Sequence, residues 1–185
     1  YQIQEENNSG LTIVDTTQVH QKAYSSYTNT ALTTNANFAR NTINVDHDGE
    51  NCETNLNGIY TLDKSQHLDN HTLINHNLPN CSSNELYIGI LNENATGVFN
   101  GKVHVKKDAQ KTNAFQSNKN ILLSDNAKMN SKPELEIYAD DVKCSHGSTT
   151  GELEEEALFY LRSRGISEEN AMAMLLLGFV SEVIG

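Results

Sequence analysis

Cys144 and His146 stand two residues apart in the densest run of reactive side chains, Tyr138-Ala139-Asp140-Asp141-Val142-Lys143-Cys144-Ser145-His146-Gly147. A thiolate and an imidazole at that spacing can both reach one soft metal, such as iron or zinc. Two ligands do not close a site. The remaining ligands would come from another chain or from a transiently bound species. The same spacing also fits a buried cysteine beside a hydrogen-bonded histidine, with no metal at all.

Other reactive residues are weaker candidates. His67, His71 and His76 lie close together in the chain. Their segment reads as strand and turn, so solvated surface histidines are the simpler reading than a structural metal. Asp46-His47-Asp48-Gly49 reads as a tight turn, and a calcium loop would need more oxygen ligands. Cys52 and Cys81 read as buried or incidental thiols, since three widely spaced cysteines make no disulfide framework and no zinc signature. No phosphate-binding Gly-x-x-x-x-Gly-Lys loop and no Gly-x-Ser-x-Gly elbow is present, which argues against nucleotide hydrolysis and serine chemistry. Asn7, Asn70, Asn80 and Asn94 open Asn-x-Ser/Thr sequons, but a chain with 24 Asn produces these by chance.

The elements that must position these residues are of two kinds. Up to about Thr150 no helical period occurs. Short segments alternate apolar and polar residues: Leu56 to Leu62, Leu86 to Ile90, Val103 to Val105 and Leu135 to Ala139. Alternation of period two marks half-buried strands. Leu11–Val14, Phe38–Val45, Thr72–Asn75 and Ile121–Leu123 read as further strands. Asn, Asp, Ser and Gly fill the gaps and favour turns. Strand centres near Asn44, Tyr60, Leu73 and Tyr87 recur evenly, which suits a sandwich, a barrel or a solenoid. Stacked coils could ladder Asn amides, although a coding bias would give the same Asn count. The cluster at 138–147 then joins the last strand to the first helix.

After Thr150 the pattern changes. Glu152, Glu154, Glu155 and Glu156 open a segment that Arg162, Arg164 and Gly165 close, matching the helix dipole and the C′ glycine. Ser167 caps a second helix, with Glu168 and Glu169 in its first turn. The short link between them predicts an αα-hairpin over 150–185, beside a strand region over 1–149. The second helix carries Met172, Leu175, Leu176, Phe179 and Val180, more apolar surface than a hairpin can bury alone. It must dock partly on its own chain and partly on another protein.

Net charge is −11, from 13 basic and 24 acidic residues. That argues against nucleic acid or an anionic membrane as partner. No apolar run approaches the ~18 residues needed to span a bilayer. The first residue is Tyr1, and the chain reads as cut from something longer.

Pro133 through Gly147 closely resembles the signature of the SufB/SufD family of iron–sulfur cluster assembly proteins. Glu155-Glu156-Ala157-Leu158-Phe159-Tyr160-Leu161-Arg162-Ser163-Arg164-Gly165-Ile166 and the stretch from Ala171 to Val180 resemble it too. The Cys-Ser-His-Gly form is similar to the SufD branch. The resemblance is strong over 120–185 and fair from about residue 80. It implies a right-handed parallel β-helix followed by a small helical domain, and a chain equivalent to the C-terminal half of such a subunit.

It also implies a role: a non-catalytic, cytoplasmic scaffold subunit that pairs with a SufB-like subunit through the β-helix. A SufC-like ATPase would engage the helical domain, through Leu158, Phe159, Leu161, Arg162, Met172, Leu175, Leu176 and Phe179. The family's functional histidine falls on His146, with Cys144 beside it as a further thiolate. His146 would ligate iron transiently, with no cofactor held tightly, only iron or a nascent cluster in the complex. A homodimer through the same β-helix edge would replace the pair when the SufB-like partner is absent. The competing reading is a surface β-solenoid, an adhesin or carbohydrate-active protein, for which Asp46 and Asp48 are the nearest paired carboxylates.

Overall fold

The computed structural model describes residues 2–5, 10–34 and 36–184. The sequon at Asn7 lies outside them. The strands are β1 (Gln2–Glu5), β2 (Thr12–Gln21), β3 (Ser26–Thr34), β4 (Phe38–His47), β5 (Glu53–Leu62), β6 (His67–His76), β7 (Ser82–Leu91), β8 (Thr96–Val105), β9 (Asn113–Leu122), β10 (Lys128–Ile137) and β11 (Lys143–Gly151). Odd-numbered strands form one parallel sheet, in the order β1-β3-β5-β7-β9-β11. Even-numbered strands form a second, in the order β10-β8-β6-β4-β2. The chain alternates between the two at every turn, which makes a parallel β-solenoid of about 5 turns.

The inward residues of β4 to β8 are buried between the sheets. In β6 these are Leu68, Asn70, Thr72, Ile74 and His76. The apolar core joins Leu56, Tyr60, Leu68, Ile74, Tyr87, Leu91 and Phe99 across the coils. Fully burying side chains of this size stabilises by roughly 1.5–3 kcal/mol each. The coils also stack through their turns. Tyr24, Asn51, Asn80 and Lys111 all have positive φ. Each N–H bonds a carbonyl of the next coil, as in Tyr24 N to Glu50 O at 2.9 Å and Asn80 N to Gln110 O at 2.9 Å. Gly49 is required for a different reason: a Cβ there would lie 2.5 Å from the Ala23 Cα of the adjacent turn. Asn ladders are present but sparse, as in Asn41 Nδ2 to Asn70 Oδ1 at 3.1 Å and Asn84 Nδ2 to Asn55 Oδ1 at 3.3 Å.

Several expectations are corrected. The strands are longer than their apolar alternation, because inward positions are often polar: Asn70, Gln116, Asn118 and Asn120 are all buried. Ser26–Thr34 is a strand that alternation of Ala and Thr did not mark. The 138–147 run is not a connection. Its second half enters β11, which pairs in register with β9. β11 lacks an apolar alternation because nothing covers most of it. Asp46 and His47 belong to β4 rather than a turn, and the turn follows them. His76 is no surface residue; like His47, it is wholly buried.

The tail forms α1 (Glu155–Ser163) and α2 (Glu168–Ile184). Gly165, at φ +86°, reverses the chain between them, and Ser167 Oγ caps the Asn170 N–H at 3.3 Å. α2 packs across the outer face of the odd-numbered sheet, on β5 and β7. Ile88 points outward from β7 and is nevertheless 0 % exposed, because this helix covers it. Lys119 of β9 reaches Glu182 at 2.6 Å. Among the described residues no helix is long and apolar enough to cross a membrane.

Candidate functional site at the open end of the solenoid

Among the described residues β10 pairs only with β8, and β11 only with β9, so both strands of the terminal coil carry a free edge. Free edges present unpaired N–H and C=O groups, a template for another strand. Pro133 in the middle of β10 removes one donor from that edge.

Alternation assigns the inner face of this coil. Cys144 packs inward, against the cluster of Val103, Val105, Ala109, Ala114 and Ala139. His146 shares its parity and therefore its face, and it is exposed because no coil lies above it. Register places His146 on Gln116, and Gln116 on Glu85. In the facing sheet, Pro133 lies on Gly101, and Gly101 on Thr72. The lumen thus has three successive layers: Thr72 with Glu85, Gly101 with Gln116, and Pro133 with His146.

The two deeper layers are polar and enclosed. Glu85 Oε2 bonds Thr72 Oγ1 at 2.5 Å, and Glu85 Oε1 accepts from Gln116 Nε2 at 3.1 Å. Burial pushes the Glu85 carboxyl up to about 7, and the hydrogen bonds from Thr72 and Gln116 oppose that rise. Glu85 and Gln116 escape a search for apolar periodicity. Their one sequence signal is spacing: a polar residue recurs 31 and then 30 positions on, at 85, 116 and 146.

Cys144 lies near His146 along the strand, one inward position away. Burial pushes its thiol up, so the protonated form is favoured in this state. A thiolate ligand there would need a metal or a partner to displace the proton. Cys52 and Cys81 are buried thiols on adjacent coils. Both point at the Gly49 carbonyl, at 3.2 and 3.4 Å, and burial pushes Cys81 up to about 11.

The second titratable cluster lies deep in the lumen. Gln21 Nε2 donates to the carbonyls of Ser25 and Glu53, at 3.1 and 3.0 Å, so its Oε1 must accept. Thr54 Oγ1 donates to that oxygen at 2.5 Å, and so must itself accept from His47 Nε2 at 2.8 Å. His47 Nδ1 is then unprotonated and accepts from His76 Nδ1 at 3.2 Å. That leaves His76 Nε2 to accept from Ser83 Oγ at 2.9 Å. With both rings neutral, as their burial favours, the donor inventory fixes both tautomers. Burial lowers His47 to about 4 and His76 to about 3. Among the described residues no group of three His, Cys, Asp or Glu side chains could hold a metal ion.

His71 pairs with Asp69 at 2.7 Å on the outer surface, apart from His76. Asp46 accepts from Gln18 and Asn75, both at 2.8 Å. Asp48 bonds His20 Nδ1 at 2.8 Å, which holds its carboxyl below the usual range. These carboxylates tie coils together. Of the other sequons, Asn70 is buried, while Asn80 and Asn94 lie exposed at turns.

The residues expected to dock an ATPase divide into two groups. Leu175 and Phe179 line a groove of about 390 Å³ against Ile121 and Thr149–Gly151. Leu158 and Met172 line a second recess, with Leu122 and Leu153. These four therefore face the solenoid. Leu161 and Leu176 are half-buried, and Arg162 is exposed and paired with Glu168 at 3.1 Å. Phe159 is 74 % exposed, and beside it in the hairpin Tyr160, Met174 and Leu177 are also open to solvent. Those three outward residues had no place in the expected set.

The chain resembles known proteins over most of its length. It is 41% identical over 135 residues to the iron–sulfur cluster assembly protein SufD of Escherichia coli strain K12, covering 73% of this chain and 32% of that protein. It is 39% identical to an iron–sulfur cluster assembly SufBD family protein of Synechocystis, over 92% of this chain and 38% of the relative. The chloroplastic protein ABCI7 of Arabidopsis thaliana is 39% identical, over 91% and 36%. The chain thus spans about a third of the length of these curated relatives. The model of the SUF system FeS cluster assembly SufBD core domain matches residues 1–179. A stacked parallel solenoid, an open terminal coil bearing His146, and this match over nearly the whole chain together assign the protein to the SufBD family of iron–sulfur cluster assembly proteins.

Proposed function

We propose that this chain is the β-helix and helical tail of a SufD-like scaffold subunit, which does not itself catalyse a reaction. It pairs with a SufB-like subunit through the free edges of β10 and β11. It docks a SufC-like ATPase through the hairpin, and works in the cytoplasm. His146 offers iron a transient imidazole ligand at the paired face, while the partner supplies the ligands that this chain lacks. Cys144 is a secondary candidate that acts only once deprotonated. ATP hydrolysis in the docked subunit would move the hairpin against the solenoid and reshape the paired face. Without a SufB-like partner, two copies of this chain could pair through the same edge.

The observation that carries this reading is the position of His146. It is exposed, on the inner face of a coil whose two strands both lack a neighbour. The outward apolar residues of the hairpin support the second contact, since exposed patches of this kind mark protein interfaces. His146→Ala in the full-length subunit should impair cluster assembly in cells while the complex still co-purifies. Normal cluster yield in that variant would remove the role assigned to His146. Pull-down of the SufC-type ATPase should fail for Phe159→Asp and persist for His146→Ala.

A further inference from the structure

Gln116 is 3% exposed, and its two amide atoms are not treated alike. Nε2 donates to Glu85 Oε1 at 3.1 Å. Oε1 is buried and has no hydrogen-bond partner among the described residues. Glu85 dictates this asymmetry. Its Oε2 accepts from Thr72 Oγ1, and its Oε1 is the acceptor left for Nε2. The NH₂ end of Gln116 is therefore held by Glu85, and the carbonyl end is turned away from it. Gly101 makes room for this arrangement across the lumen. A Cβ there would lie 2.9 Å from Gln116 Cδ and 2.7 Å from Phe99 Cζ.

A buried acceptor without a donor is unfavourable, and such groups are rare in folded proteins. The residue stacked on Gln116 is His146, about 4.8 Å along the sheet. An imidazole N–H is the donor that the column lacks. Across from His146 stands Pro133, which has no N–H to offer. The lumen already joins ring atoms at this offset: His47 Nδ1 and His76 Nδ1 lie one coil apart at 3.2 Å.

We propose that Gln116 is the positioning residue for His146. Its carbonyl oxygen, unpartnered in this structure, is placed to accept one ring N–H of His146, which would leave the other ring nitrogen its lone pair, directed out of the open end. Glu85 and Gly101 hold the amide in that orientation. Metal-ligating histidines are commonly oriented by a carbonyl or carboxylate on the second nitrogen, which fixes the tautomer and raises ligand basicity. This inference rests on the reading of His146 as a ligand for what that purpose is, but the hydrogen bond itself does not.

The test is long-range ¹H–¹⁵N correlation NMR of the full chain above the histidine titration range, with His146 assigned through His146→Ala. In the wild type, one neutral tautomer of His146 should dominate. Gln116→Leu should shift the tautomer ratio about fivefold, the ratio that one net hydrogen bond sustains. Gly101→Ala should shift it in the same direction from the opposite wall, by displacing the amide. His71 and His104 should not respond in either variant. A His146 tautomer ratio unchanged in Gln116→Leu, with the fold intact by circular dichroism, overturns the proposal. Normal cluster yield in His146→Ala would remove the role of His146 in assembly and leave this hydrogen bond standing, so the two ideas fail separately.

Discussion

Acid should unfold this solenoid earlier than its ion pairs alone would suggest, and the buried residues set the amount. His47 and His76 have folded-state values of about 4 and about 3, against 6.5 in the unfolded chain. Below pH 6.5 the unfolded chain binds two protons that the folded chain refuses, so stability falls as pH falls. Integrated from pH 6.5, where the unfolded histidine is half protonated, to pH 5, acidification costs about 1.6 kcal/mol for each histidine, about 3 kcal/mol in all.

Glu85 opposes this. Its folded value of about 7 lies above the unfolded 4.5, so its contribution is present at low pH and is lost as pH rises toward 7. Over the same window the carboxyl returns roughly 1.7 kcal/mol, leaving a net loss of about 1.5 kcal/mol. The assay is urea unfolding at several pH values between 5 and 8, followed by circular dichroism, since the chain has no Trp. Glu85→Gln should steepen the loss between pH 6.5 and 5 to about 3 kcal/mol, because the opposing carboxyl is gone. His76→Gln, which can still bond Ser83, should flatten it to near zero. Equal slopes in all three proteins would refute the assignment of the buried groups as the source of the pH dependence.

Other perturbations have separate readouts. Ile88→Ala should destabilise by about 2–4 kcal/mol as a buried large-to-small change, and should speed tryptic cleavage at Arg162 and Arg164 by loosening the hairpin. Gly49→Ala should lower the urea midpoint by an amount equivalent to about 2–3 kcal/mol, because the Cβ would meet the Ala23 backbone rather than a side chain that can move. Lys119→Met should cost no more than about 1 kcal/mol despite the 2.6 Å contact to Glu182, since both partners are substantially exposed and salt screens them. A larger loss at high salt would show that the pair does more than join two surfaces.

Much of the architecture could be read from local pattern. Period-two alternation, turn formers at even intervals and an acid-to-base tail reported strands, then a helical hairpin, because each is a property of neighbouring residues. The caps did too: Gly165 reverses the chain and Ser167 starts α2, as their residue types require. The family resemblance rested on the runs 133–147, 155–166 and 171–180, each contiguous in sequence, and needed no structure to be seen.

What the sequence could not decide was which residues meet across coils. His76 looked like one of three surface histidines, yet the fold sets it against His47, 29 residues earlier, where burial disfavours the charged form of both rings. Ile88 alternates outward, yet α2 buries it. β11 carries almost no apolar alternation, because its inward residues close nothing; its strand character comes from backbone pairing with β9. Glu85, Gln116 and His146 lie about thirty residues apart and share no local pattern. Only stacking in register, a long-range consequence of winding the chain into coils, brings them into one column beneath the open end.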